Sequence, residues 1–347
     1  MARNLNRGVD IFDKWSHLKK ASIQQDQFQC KLKIKVLTMV KKIAINFCLL
    51  LSLGCGQAMA DTTAEVATKL PLKSVLIEIP TTTMSFLKTS FSQPAVPVWI
   101  GIIGSSAVLY HYDEDLYRGA QQTGRRWGLS NSDKTKTVFK LGQYDILRLP
   151  SDGASALYFL GDGWLDVAVA GSFFAVGSIG DHVRPYNTSL QLAHGLIVSA
   201  MFEQFLKHAT GRESPSDQSE PRGKWRPFPS LKAYGANTAK YDAMPSGHMM
   251  TATLMFTIIR YNYQEYDYFL LPLEVTWLGT LGFAMLNNGV HWASDYPLGI
   301  GLGYVIGRSA VRMGQASNKQ VKVASRWSYF PYFTSDGVTT LNAMLVY

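Results

Sequence analysis

Pro245-Ser246-Gly247-His248 opens an almost wholly apolar run, Met249-Met250-Thr251-Ala252-Thr253-Leu254-Met255-Phe256-Thr257-Ile258-Ile259. Ser is a favoured helix N-cap, Gly lets the backbone approach a ligand, and the unpaired N–H groups of a first helical turn make an anion site. The run is long and aliphatic enough to be a helix, near 247–262. Working outward, five more segments of this kind lie near 95–110, 155–180, 189–208, 269–287 and 294–312. They predict an all-α fold built as a six-helix bundle. Strand-like signals are confined to the tail: Trp327, Tyr329, Phe330, Tyr332 and Phe333 precede Ser335-Asp336-Gly337, and Val338 to Tyr347 come after it, which predicts a small C-terminal hairpin.

The composition agrees with a folded, helix-rich chain. Of 347 residues 47% are hydrophobic, 17% charged and 12% aromatic, which excludes a disordered chain, a collagen and a coiled coil; three cysteines exclude a disulfide scaffold. The formal charge of +9 could suit nucleic acid, anionic lipid or a phosphorylated substrate. Many of the basic residues, however, sit in the first 42 positions, and no nucleic-acid-binding pattern accompanies the rest, so nucleic acid is not expected as a partner. Two polar loops are expected, at 112–153 and 210–244.

The N-terminal sixty residues read as an address. From Met39 the chain runs Met-Val-Lys-Lys, an apolar stretch from Ile43 to Leu53, and Ala58-Met59-Ala60, the layout of a secretory signal peptide with its start at Met39 and cleavage after Ala60. Cys30, Cys48 and Cys55 all fall in this leader, so the exported chain would carry no cysteine. The expected organisation is an N-terminal extension and cleaved signal over 1–60, an arm over 61–93, a helical domain over 94–315 and a tail over 316–347. Charges in mid-segment, at Asp162, Asp166, Glu203 and Glu274, are costly in lipid. They favour an exported, periplasmic bundle that rests on or partly in a membrane, with an integral membrane protein as the alternative.

Two further strings carry chemistry. His291-Trp292-Ala293-Ser294-Asp295 places an imidazole and a carboxylate at i and i+4; on a helix these face one side, so Asp295 could hold one ring nitrogen of His291 and free the other as nucleophile or base. Upstream, Lys207 and His208 end an apolar helix before Gly211-Arg212-Glu213-Ser214-Pro215, where cations complement the helix dipole.

In this order and spacing the three strings resemble the type 2 phosphatidic acid phosphatase and vanadium haloperoxidase superfamily. Its pattern is Lys, six residues, Arg-Pro; then Pro-Ser-Gly-His; then Ser-Arg, five residues, His, three residues, Asp. The resemblance covers roughly residues 155–312. It implies a metal-independent phosphatase without cofactor, acting on phosphomonoesters or diphosphates, lipid-linked or small, through a phosphohistidine. Carried over, Lys207 is the first phosphate-binding cation, Ser246 and Gly247 the phosphate-cradling turn, His248 the general acid, His291 the nucleophile and Asp295 its orienting carboxylate. Ser214 stands where the family has Arg, and Ala284-Met285 stand for Ser-Arg. Losing one such donor can cost ~3 kcal/mol of transition-state stabilisation. Arg212 is the first expected substitute, with Arg184, Lys224 and Arg226 behind it. The same departures leave open a non-catalytic phosphate- or lipid-headgroup-binding protein and, on the same scaffold, a vanadate haloperoxidase.

Overall fold

A computed structural model describes residues 68–131, 134–142, 144–313, 326–333 and 339–346. The expected leader with Cys30, Cys48 and Cys55, the cleavage expected after Ala60 and the Ser335-Asp336-Gly337 turn lie outside them. The chain is mostly helical. Among the described residues there are ten α-helices rather than six: α1 (Ser74–Ile77), α2 (Ile79–Ser90), α3 (Val96–Arg126), α4 (Gly153–Tyr158), α5 (Gly163–Ile179), α6 (Val183–Thr210), α7 (Leu231–Ala236), α8 (Gly247–Asn262), α9 (Asp267–Asn288) and α10 (Tyr296–Val311).

Two expectations are corrected in the segment 112–153. It is not one loop, because α3 continues to Arg126, where it ends in Arg125 and Arg126 beside the helix carbonyls. Nor are strands confined to the tail: β1 (Thr135–Leu141) pairs antiparallel with β2 (Tyr144–Pro150), with irregular register around Phe139. The charges of Tyr112-Asp113-Glu114-Asp115 read as the end of an apolar helix, yet the first two acids each have a tertiary use. Asp113 points into the core, and Glu114 accepts the backbone N–H of Arg222 at 2.9 Å. In the tail, Arg326–Phe333 (β3) pairs antiparallel with Thr339–Val346 (β4), Arg326 opposite Val346 and Phe333 opposite Thr339.

The centre of the fold is the close crossing of α8 and α10. Gly299, Gly303 and Gly307, spaced four apart on α10, lie against the backbone of Ser246, Met250 and Leu254, spaced four apart on α8; a methyl group on Gly303 would stand 2.2 Å from the Met250 carbonyl oxygen. Side chains four apart share one helix face, so this stripe brings two backbones together along two full turns. Around it Leu192, Val198, Met250, Leu254, Ile258, Leu281 and Ile306 are buried. Residues 68–92 are held to α6: the ring of His194 binds the Val75 carbonyl oxygen (2.8 Å) and the Thr82 hydroxyl (2.7 Å), and Asn187 accepts the Leu70 N–H at 2.8 Å.

Two helical stretches, Gln93–Arg126 and Gln264–Asn288, are long and apolar enough to cross a membrane, and the pair Gly153–Gly161 and Gly163–Ile179, bent by 60°, makes a third if it is one span. None of the residues of the apolar window in the first stretch is buried; Val98, Ile100 and Ile103 stand more than half exposed.

Candidate active site

Three chain segments meet at one end of the α8–α10 crossing. The first is the last turn of α6 with the residues directly after it, 207–215. Gly211 ends that helix in the left-handed region at φ 56°, where glycine is favoured, and there is no room for a side chain, since a Cβ would lie 1.9 Å from the Arg226 carbonyl oxygen. The second, 242–248, leads into α8, whose N-cap is Ser246; its hydroxyl accepts the Met249 N–H at 3.4 Å. The third, 289–295, leads into α10.

Backbone and side-chain bonds tie the three together. Ala243 N–H donates to the Arg212 carbonyl (2.9 Å), Ser246 N–H to the Asp295 carbonyl (3.2 Å), the Thr210 hydroxyl to the Met244 carbonyl (2.5 Å) and the Trp292 indole N–H to the Glu213 carbonyl (2.8 Å). Each of these polar groups has its partner on another segment, which fixes their mutual positions.

The two motif histidines come together in this frame. His248 and His291, 43 residues apart, have ring centroids 5.6 Å apart, edge to face, with Tyr158 packed at 4.5 Å on His248. His291 is buried and its Nδ1 lies 2.6 Å from the Ala243 carbonyl oxygen. A carbonyl only accepts, so Nδ1 carries the proton and Nε2 keeps its lone pair. Burial, then the neighbouring His248 and Lys207, hold the His291 pKa well below its usual value. Burial, then Lys207, lower that of His248 to about 3. Both rings are neutral at neutral pH.

Asp295 does not orient His291. Residues 293–295 form a single 3-10 turn and α10 starts only at Tyr296, so the i, i+4 pair is not on one α-helix. One Asp295 oxygen accepts the Trp292 N–H at 2.8 Å and the other binds the Arg212 guanidinium. Burial raises its pKa, with Arg212 opposing and Asp113 adding to the rise. The positioning group for the ring is the backbone of Ala243, for which no side-chain pattern could serve as a signal.

Arg212 is likewise not available to a substrate. It is fully buried, and its five N–H groups have five acceptor contacts: Nε and Nη2 reach the Arg222 carbonyl (3.3 and 2.9 Å), Nη2 also Asp113 Oδ2 (2.8 Å), and Nη1 the Ser294 hydroxyl (2.7 Å) and Asp295. Asp113 completes the cluster by accepting the Ser294 N–H (3.0 Å) and hydroxyl (2.6 Å). This buried cluster joins α3, the segment after α6 and the segment before α10. Asp113 is the residue that sequence reasoning missed; three successive acids after an apolar run carry no mark of which one turns inward.

The other cations considered are also committed. Arg184 forms a two-bonded pair with Glu265 (2.6 and 2.7 Å) and donates to the Asn262 carbonyl at the far end of α8, 14 residues from His248 and so about 21 Å along the helix. Lys224 pairs with Glu220 at 2.6 Å and Arg226 with Glu213 at 3.1 Å. Where the family pattern has its arginines, Met285 is fully buried with its sulfur 3.5 Å from the Ser246 hydroxyl, and Ser214 is buried beside Asp242.

Lys207 remains as the cation facing this end of the bundle. It is buried in the last turn of α6, 2.7 Å from Glu203 Oε1 and 3.8 Å from Asp242 Oδ2. Burial works against its charge, but these carboxylates outweigh it and raise its pKa. The arrangement therefore offers a neutral imidazole with a free lone pair, a second imidazole beside it, one ammonium group and a capped helix N-terminus.

Residues 188–319 match the family model described as PAP2 superfamily. No curated protein and no solved structure matches the chain.

Proposed function

We propose that the chain, whose residues 188–319 match the PAP2 superfamily model, hydrolyses phosphomonoesters or diphosphates, lipid-linked ones included, through a phosphohistidine at His291. The observation that carries this reading is the His291 ring: Nδ1 is tied to the Ala243 carbonyl, Nε2 is free, and His248 stands 5.6 Å away between centroids. Nε2 would attack phosphorus, forming the N–P bond as the P–O bond to the leaving group breaks, while His248 passes its proton to the departing alkoxide. Water then attacks phosphorus, His248 takes its proton, and the N–P bond breaks to release inorganic phosphate. A neutral His291 is the nucleophilic form. His248 must be protonated to act as acid, and a bound phosphate dianion supplies the negative charge that favours this. Lys207 and the Ser246-Gly247 turn would neutralise the equatorial oxygens. The route draws on no metal or cofactor.

The exposed apolar faces of α3 and α9 support membrane association, and the leader over 1–60 supports export with a site facing the periplasm. A second reading, binding of phosphate or a lipid headgroup without turnover, is favoured by one observation: Met285 and Ser214 replace the two arginines, and Arg212 has no donor to spare. A release assay with a chromogenic phosphomonoester and a lipid phosphate decides between them. The enzyme reading expects release that His291→Ala reduces to background while the far-UV CD spectrum is unchanged; near-full activity in that variant would rule out the phosphohistidine.

A further inference from the structure

The phosphate-cradling turn is already in contact with a carboxylate of the chain itself. Glu203 sits one turn before Lys207 on α6, and its side chain and that of Lys207 are largely shielded, 15% and 10% exposed. An i, i+4 Glu–Lys pair on an exposed helix face would be ordinary. This one is different because of where it lies: a methyl group on Gly247 would stand 1.9 Å from Glu203 Oε1, 2.4 Å from Cδ and 2.8 Å from Oε2. The whole carboxylate therefore rests on the Cα of Gly247, the first residue of α8, in the space that only a glycine leaves. It touches at once the ammonium group and the turn that the proposed function assigns to the phosphate.

We infer that Glu203 is an internal anion occupying the phosphate seat, so that a substrate phosphate binds by displacing it from Lys207 and Gly247. This rests on the reading of the site as a phosphate site. The charges agree with it. Lys207 is flanked by two carboxylates, Glu203 and Asp242, while the Arg212 charge is spent on Asp113 and Asp295. An incoming phosphate dianion thus competes with Glu203 for the ammonium group and is repelled by it if the carboxylate stays. Displacement makes Glu203 a determinant of affinity for the phosphoryl group, and turnover would be slower and KM higher than the histidine pair alone would permit.

The test is calorimetric titration of the full chain with inorganic phosphate, alongside KM for a chromogenic phosphomonoester, in the wild type, Glu203→Gln and Glu203→Ala. Glu220→Gln, which removes a like charge from the exposed pair with Lys224, controls for net charge. Both Glu203 variants are expected to bind phosphate about tenfold or more tighter than the wild type, with KM lowered in parallel and Glu220→Gln unchanged. CD spectra and melting curves establish that each variant is folded. Unchanged or weaker phosphate affinity in both folded Glu203 variants, with a wild type that binds or hydrolyses, overturns the role of Glu203 and leaves the phosphate site standing. Absence of phosphate binding and of turnover in all of them overturns the site reading and the inference with it.

Discussion

At the scale of single residues, the proposed site separates side chains assigned to a substrate from those that hold the frame, and Arg212 changes sides. Sequence spacing made it a phosphate contact; its donors instead go to Asp113, Asp295, Ser294 and the Arg222 carbonyl. Removing one partner of a buried ion cluster leaves an uncompensated charge and costs ~3–5 kcal/mol. Arg212→Ala and Asp113→Ala are both expected to lower unfolding free energy by that order in denaturant titrations. A hundredfold loss of rate with unchanged stability would return Arg212 to the phosphate. The histidines give a pH prediction. His248 titrates at 6.5 when unfolded and at about 3 in the folded site. Between these values the unfolded chain binds a proton that the native chain does not, so this residue's contribution is fully present above pH 6.5 and is lost as pH falls. Asp295 and Asp242, raised by burial, work in the opposite direction in any variant that keeps them. The comparison that isolates His248 is therefore wild type against His248→Asn: the variant should gain relative stability steadily from pH 6.5 to pH 4. A stability difference independent of pH would mean that the native ring takes up the proton as readily as the unfolded one.

At the scale of elements, the geometry proposed for catalysis depends on how closely α8 and α10 approach. His248 is on the first turn of α8, and His291 lies five residues before α10, so the distance between the rings tracks the distance between these helices. Gly303 has no room for a methyl group, since the Met250 carbonyl oxygen would be 2.2 Å from it. Overpacking of this kind costs ~1–3 kcal/mol, and a displacement of about 1 Å at a reacting centre can cost ~100-fold in rate. Gly303→Ala should therefore lower Tm by several degrees and reduce phosphate release out of proportion to the fraction unfolded at the assay temperature. Gly301→Ala is a weaker control, because its nearest neighbour is the flexible end of the Ile102 side chain. Equal effects on activity in the two variants would mean that the glycine stripe packs the core without setting the site.

At the scale of the whole molecule, α3 gives Asp113 to the buried charge cluster but shows its apolar first turns outward. Val96, Val98, Ile100 and Ile103 are exposed along the first turns of α3, and Phe269 and Val275 on α9. Exposed apolar residues gathered on one helix suit a contact with membrane or partner. The chain is expected to sediment with membranes and to need detergent for release, and Ile100→Asp with Ile103→Asp should shift it toward the soluble fraction. Recovery of the wild-type chain in the soluble fraction without detergent would refute the membrane contact.

Much of this architecture is written in local patterns. The apolar run after Ser246, the cations ending α6 and the order of the three motif strings are short-range features, and they carried the helical class, the start of α8 and the pairing of His248 with His291. Helix periodicity and capping depend on neighbours within a turn or two, so sequence reads them well. The choice among buried charges is of another kind. Whether Asp113 or Glu114 turns inward, whether Arg212 meets a phosphate or two carboxylates, and whether Asp295 serves His291 or Arg212 depends on groups up to 182 positions away, between Asp113 and Asp295. Desolvation makes each such charge take the nearest complete set of partners, and only the folded chain determines which set that is. The Ala243 carbonyl that holds His291 and the bare Cα of Gly247 that receives Glu203 are backbone features without a side-chain signature; they exist only once α6, α8 and α10 have closed on one another.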